Sequence, residues 1–125
     1  ISGTTNLIKV EVVGKMLAKG VGFGSGSIAG FARVIHTPED LQQVQDNEIL
    51  VTRETDSTYL QAMAKAKAFV TEAEGMSSHG AIAALSSNKP IIIGADRITE
   101  LVESGELITL ELDSGIIYKG QTGIQ

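Results

Sequence analysis

A chain of 125 residues and 13.1 kDa is the size of one ordinary domain, and burying about two thirds of its surface suffices for one core without staples. It has no cysteine, which excludes disulfides, thiolate zinc sites and cysteine nucleophiles and fits a reducing cytoplasm. Ten Lys and Arg against fifteen Asp and Glu leave a net charge of −5, which argues against a nucleic-acid or anionic-membrane partner.

Ile8, Val10 and Val12 alternate with Lys9 and Glu11, the period-2 pattern of a half-buried strand. Lys19-Gly-Val-Gly-Phe-Gly-Ser-Gly26 follows, with glycine at every second position. Gly30–His36 reads as a strand, and Thr37-Pro-Glu-Asp40 as a helix start: a hydroxyl cap, Pro in the first turn and acids near the positive helix end. That helix is expected to stop near Gln45. Glu48–Thr52 is the next strand, and Arg53–Ser57 leads into a helix over Thr58–Lys67, with Leu60, Met63, Ala64 and Lys67 on one side.

Ala68–Thr71 and Ile91–Ile93 are short apolar runs typical of buried strands. Between them a loop over Glu72–Ser78 and a helix from Ser78 to about Asn88 are expected, the helix stopped before Pro90. A short helix is expected near Ile98–Val102. Leu107–Leu112 and Ile116–Lys119 then form a hairpin around Asp113-Ser-Gly115. The alternation of strand and helix through residues 48–93 predicts an α/β domain with parallel pairing in its middle and antiparallel, Gly-rich flanks. No apolar run approaches the ~18 residues of a membrane span, and no signal peptide opens the chain. The first residue is Ile1, so a segment of something longer is expected.

The glycine run does not spell G-x-G-x-x-G in any register: Ser25, Ser27 and Ala29 stand where glycine would be needed. It predicts close backbone approach or tight turns instead. Arg53-Glu-Thr-Asp-Ser57 sits at a strand-to-helix handover, a common ligand position in α/β folds, but Asp56 or Ser57 also suits a cap. His36 has no other His or Cys close in sequence, so no metal site is predicted there.

The stretch from Thr71 to Leu85 carries more chemistry. If Ser78 caps a helix, His79 occupies its first position, where free N–H groups and the positive helix end favour an anion. The same field disfavours an imidazolium and keeps the ring neutral and nucleophilic, which is what a phosphoryl acceptor needs. The other reading of the same residues is a capped helix whose histidine is incidental.

Residues 71–94 resemble the phosphohistidine motif of the swivelling, or mobile, domain of phosphoenolpyruvate-utilising enzymes. The matching positions are Gly75, Ser77, Ser78, His79, Ala84, Pro90 and Gly94. That resemblance implies a β/β/α fold, His79 as the phosphorylated position, and Gly75, Ser77 and Ser78 as its anion-binding loop and helix cap. Two departures matter: Glu74 stands where the family has its first glycine, and Leu85 where phosphocarriers have arginine.

The opening Gly3-Thr-Thr-Asn-Leu-Ile-Lys-Val10, with Val12-Val-Gly14 and the glycines at 20, 22 and 24, is similar to the segment joining the body of bacterial pyruvate kinases to their extra C-terminal domain. In that branch leucine also replaces the arginine. The resemblance therefore implies residues 1–19 as a lead-in with one strand and residues 20–125 as the swivelling domain. It implies a structural or regulatory part with a vestigial phosphohistidine loop, and as the alternative a working phosphocarrier. No cofactor is expected on the segment itself, whereas Mg²⁺ and K⁺ belong to the parent's catalytic domains. Its partners would be the rest of the subunit and neighbouring subunits of a homo-oligomer in the cytoplasm.

Overall fold

The computed structural model describes residues 15–74, 84 and 86–120; the strand expected over Ile8–Val12 lies outside them. Eight strands form one sheet: β1 (Met16–Lys19), β2 (Val21–Phe23), β3 (Ser27–Ile35), β4 (Ile49–Thr52), β5 (Ala68–Thr71), β6 (Ile91–Ile93), β7 (Leu107–Glu111) and β8 (Ile116–Lys119). Their order is β1-β8-β7-β3-β4-β5-β6-β2.

β4, β5 and β6 are uninterrupted apolar or β-branched runs buried at every residue, as expected of parallel strands covered on both faces. They pair in parallel with one another and with the second half of β3, Ala32 facing Ile49 and Leu50 facing Phe69. The first half of β3, Ser27–Phe31, pairs antiparallel with β7 instead. One nine-residue strand thus turns the corner between two layers, which is why β3 begins three residues before the strand read from sequence.

Ile49, Val51, Val70 and Ile92 point into the space between the layers and meet Ile108, Leu110 and Ile117 from β7 and β8. The alternate residues Leu50, Phe69, Ile91 and Ile93 face the other way, onto Val44, Ala62, Met63 and Ala66. Period 2 therefore divides each strand between two cores. The layering is β/β/α, with the partly parallel central sheet and antiparallel flanks that the sequence predicts.

β1 and β2 lie at opposite ends of the strand order yet only Gly20 separates them. The chain crosses at Gly20 from one layer to the other. There the Gly20 N–H donates to the carbonyl of Gly115 at 2.8 Å. A side chain at Gly20 would place its Cβ 2.1 Å from the Ile93 carbonyl oxygen, and one at Gly22 would come within 2.2 Å of that of Leu112. Close backbone approach is the use of Gly20 and Gly22, whereas Gly26 takes a left-handed φ of +74° with nothing within 4 Å of an added Cβ.

The described helices are shorter than the sequence suggests, and the helix expected from Ser78 to about Asn88 lies largely outside the described residues. Pro38–Gln43 is a 3₁₀ helix, its start closed by the Asp40 carboxylate, which accepts the N–H groups of His36 and Thr37 at 2.9 and 3.0 Å. The helix expected over Thr58–Lys67 is a 3₁₀ turn at Ser57–Tyr59 followed by α1 (Leu60–Lys65). Asp56 caps it by accepting the Thr58 N–H at 2.8 Å, so the capping reading of that stretch holds. The expected face is corrected: Ala62 and Met63 are buried, while Leu60 and Ala64 are exposed. A helix this brief buries only the side that its flanking 3₁₀ turn and the extended Ala66 aim at the sheet. The last helix, α2, spans Ile98–Leu101.

α1 ends on a cation that sequence reading did not find. The Lys89 ammonium donates to the carbonyls of Met63, Ala64 and Ala66 at 2.9, 2.9 and 2.7 Å. It thereby satisfies carbonyls that a helix C-terminus leaves orphaned. Replacing it by Met should cost about 2 kcal/mol, since charge-assisted bonds are lost and only partly replaced by water. A urea midpoint shifted by that amount at unchanged slope is the expected result; a shift near zero would contradict the cap.

Candidate functional site

Parallel strands deliver their C-terminal ends to one edge, the usual ligand edge of such sheets. Here that edge carries His36 after β3, Thr52–Asp56 after β4, and Thr71–Glu74 after β5. Two backbone ladders hold the last of these. Glu72 and Ala73 donate N–H groups to the carbonyls of Thr52 and Arg53 at 3.1 and 2.8 Å, and Gly94 and Ala95 donate to those of Ala73 and Thr71 at 2.9 and 3.0 Å. The stem of the candidate loop is thus pinned from both sides through residue 73.

Glu72 does structural work there. Its carboxylate accepts the Thr99 backbone N–H at 3.0 Å and the Thr99 hydroxyl, closing the start of α2, while the Arg53 guanidinium lies 3.8 Å from its other oxygen. Thr99 is 27 residues away, so nothing in the sequence flags the pair. The Glu74 side chain lies against Gly94, where an added Cβ would come 3.3 Å from its Cγ. Glycine at 94 is required chiefly by its left-handed φ of +72°, and it also spares the Glu74 side chain a tight contact.

Gly75, Ser77, Ser78 and His79, the residues expected to form the anion-binding loop and accept a phosphoryl group, lie outside the described residues, as does Leu85. Of the other motif positions, Ala84 is helical and buried, and Gly94 turns at φ +72° directly after β6.

Beside the stem, a cavity of about 520 Å³ opens at the ends of β3 and β4, lined by Ile35, His36, Thr52, Arg53, Glu54, Asp56 and Tyr59. The Thr52 hydroxyl and the Tyr59 phenol are 3.3 Å apart and hydrogen-bonded. The segments that follow β4 and β5 are acidic, with Glu54, Asp56, Glu72 and Glu74 against Arg53 among their described residues, while β6 brings Asp96 and Arg97 to the same edge. Among the described residues no three His, Cys, Asp or Glu side chains group to hold a metal. No helix among them is long and apolar enough to cross a membrane.

Comparison with known proteins adds family to geometry. The profile of the "PEP-utilising enzyme, mobile domain" family matches residues 44–115. The chain is 37% identical over 121 residues, 96% of its length, to a pyruvate kinase of Lactobacillus delbrueckii subsp. bulgaricus, of which it spans 20%. It is 40% identical over 124 residues to that of Geobacillus stearothermophilus, spanning 21% of it. The chain thus corresponds to about one fifth of these relatives.

Among solved structures, Thermococcus kodakaraensis aconitase X in its holo form is similar at a TM-score of 0.60 and 18% identity, over 83% of this chain and 98% of that one. An NMR structure of an Enzyme I protein is similar at 0.53 and 23% identity, over 63% of this chain and 33% of that one. At such identities the likeness is one of fold.

Proposed function

Because the chain belongs to the family of phosphoenolpyruvate-utilising enzyme mobile domains, we propose that it serves as the C-terminal structural or regulatory domain of a bacterial pyruvate kinase and carries a vestigial phosphohistidine loop. On this reading phosphoryl passes from phosphoenolpyruvate to ADP in the parent's catalytic domain, with Mg²⁺ and K⁺ held there, in the cytoplasm. The domain contributes packing and regulation within the subunit and the homo-oligomer. The observation that carries the reading is the identity of 37–40% along nearly the whole chain to one fifth of bacterial pyruvate kinases.

Electrostatics favours it over a working phosphocarrier. The stem of the loop presents Glu74, its neighbour Glu72 being engaged by Thr99 and Arg53, and Leu85 stands in place of a motif cation. Two like charges about 4–6 Å apart repel by several kcal/mol at an effective dielectric of about 20. A helix N-terminus returns at most about 2 kcal/mol. A phosphorylated His79 would be a poor product.

The test is His79→Ala in the full-length parent. Turnover of phosphoenolpyruvate with ADP should stay within about twofold, less than about 0.5 kcal/mol of barrier. Labelled phosphoenolpyruvate should leave no acid-labile label on the protein. Stoichiometric acid-labile label that disappears, together with activity, in the variant would establish the carrier instead.

A further inference from the structure

Backbone crowding explains Gly20 and Gly22 but not the second half of the glycine run. Gly24 turns at φ +134° and Gly26 at φ +74°, and Gly24, Ser25 and Ser27 line one side of a cavity of about 470 Å³. Asn88, Lys89 and Pro90, which lead into β6, line it from another side, and Leu112, just after β7, completes it.

This cavity opens where both cores come to the surface. Its apolar lining is Phe23, Ile28, Pro90 and Leu112. Leu112 is buried in one core and Ile28 packs against it, whereas Phe23 packs against the other. Its polar lining is Ser25, Ser27 and Asn88, all exposed and none with a side-chain hydrogen bond among the described residues. Lys89 is the one charged residue of the lining, and its ammonium is already held by the three carbonyls at the end of α1. The walls thus offer apolar contact and neutral hydrogen-bonding groups. An ion entering would shed water without gaining a partner. Apolar walls with a few polar groups, at this size, are the usual make-up of a small-molecule site.

Glycine at 24 keeps the cavity open. A Cβ there would come 3.1 Å from the Leu112 Cδ1 and 3.2 Å from the Pro90 Cβ, wedged between two of the apolar lining residues. Asn88 supplies direction. It stands at φ +62°, after helical Ser86 and Ser87, a position where glycine is the usual residue. Its carboxamide holds a donor and an acceptor side by side, the complement of a ring edge that carries the same pair.

We infer that this cavity binds a small uncharged aromatic molecule whose edge carries an adjacent donor and acceptor, as a carboxamide or a nucleobase does. The ring lies against Phe23, Pro90 and Leu112, and its edge meets Asn88. The inference does not rest on the parent reading above, since it uses neither His79 nor its loop.

Methyl NMR of the full-length protein that contains this chain, labelled at Ile and Leu, tests it. Nicotinamide serves as the carboxamide and uracil as the nucleobase. At least one should shift the Ile28 and Leu112 methyls saturably, with a Kd in the millimolar range expected of so small a ligand, and leave Ile35 at the other end of β3 unmoved. The tighter of the two names the source. Asn88→Gly, which keeps the left-handed turn, should weaken that binding about fivefold or more, as the loss of two neutral hydrogen bonds implies. If Asn88→Gly disturbs Ile35 by itself, Asn88→Asp takes its place and should weaken binding likewise. Benzoate and benzylammonium, similar in size but charged, should bind more weakly than the uncharged ligand. Methyls of Ile28 and Leu112 that move with neither ligand would overturn the inference. So would an affinity unchanged by the substitution at Asn88, or a charged ring bound as tightly as the uncharged one.

Discussion

Gly20→Val should cost at least about 3 kcal/mol, the upper end of what overpacking imposes, because the chain has no alternative path at that position. The added Cβ would meet the Ile93 carbonyl oxygen at 2.1 Å, a backbone atom that cannot swing aside as a flexible side chain would. Relief requires β1 and β2 to separate from β6 and from the Gly115 turn. That opens the crossing at which Gly20 joins the two ends of the strand order. A loss of this size is a large share of the roughly 5–15 kcal/mol that holds such a domain together. Gly26→Asn is the control. Gly26 sits at φ +74° with nothing within 4 Å of an added Cβ, and Asn tolerates the left-handed region, so its cost should be about 1 kcal/mol or less. Denaturant midpoints of the two variants should differ accordingly; equal midpoints would show that the crossing at Gly20 is not tight.

The contrast between these glycines marks how far the sequence could be read. The runs Ile49–Thr52, Ala68–Thr71 and Ile91–Ile93 announce buried strands, because a strand covered on both faces must be apolar throughout. The run of alternating glycines announces close approach as a class, but the backbone atoms met by Gly20 and Gly22 belong to Ile93 and Leu112, far along the chain. For the same reason Ser27–Ala29 escaped notice as strand: its ladder partner is Thr109–Glu111, and no local periodicity reports a pairing that distant. α1 was overestimated because an apolar spacing continued past the point where Ala66 turns extended. At the candidate site, motif spacing alone singled out Gly75, Ser77, Ser78 and His79. The stem contacts from Glu72 to Thr99 join groups with no sequence relation.

Removing Arg33 should destabilise the fold by about 2 kcal/mol, between the cost of breaking an exposed ion pair and that of breaking a fully buried one. Its guanidinium holds Glu48 bidentately at 3.0 and 2.9 Å, with side-chain exposures of only 21% and 12%. The other Glu48 oxygen contacts are local: the carboxylate also accepts the Gln45 N–H at 2.8 Å. Burial alone would push the Glu48 carboxyl up. The Arg33 hydrogen bonds, the Gln45 N–H and the guanidinium charge outweigh it and hold the group below the ordinary carboxylate range. Asp40 is lowered as well, chiefly by the N–H groups of His36 and Thr37. A carboxyl lowered by folding stabilises the native state above its unfolded pKa of about 4.3, and the contribution drains away as pH falls through the lower, folded value. Stability should therefore hold through neutral pH and fall off below about pH 4. In Arg33→Met the partner is gone at every pH, so the gap between variant and wild type should be widest near neutrality and narrow in acid. Arg33→Met with Glu48→Met should cost less than the two single changes added together, by about 1–3 kcal/mol, because the paired loss leaves no buried charge alone. Denaturant titrations of the four proteins at pH 7 and pH 3.5 measure both effects. A gap that stays constant between those pH values, or costs that simply add, would show that Arg33 and Glu48 act independently.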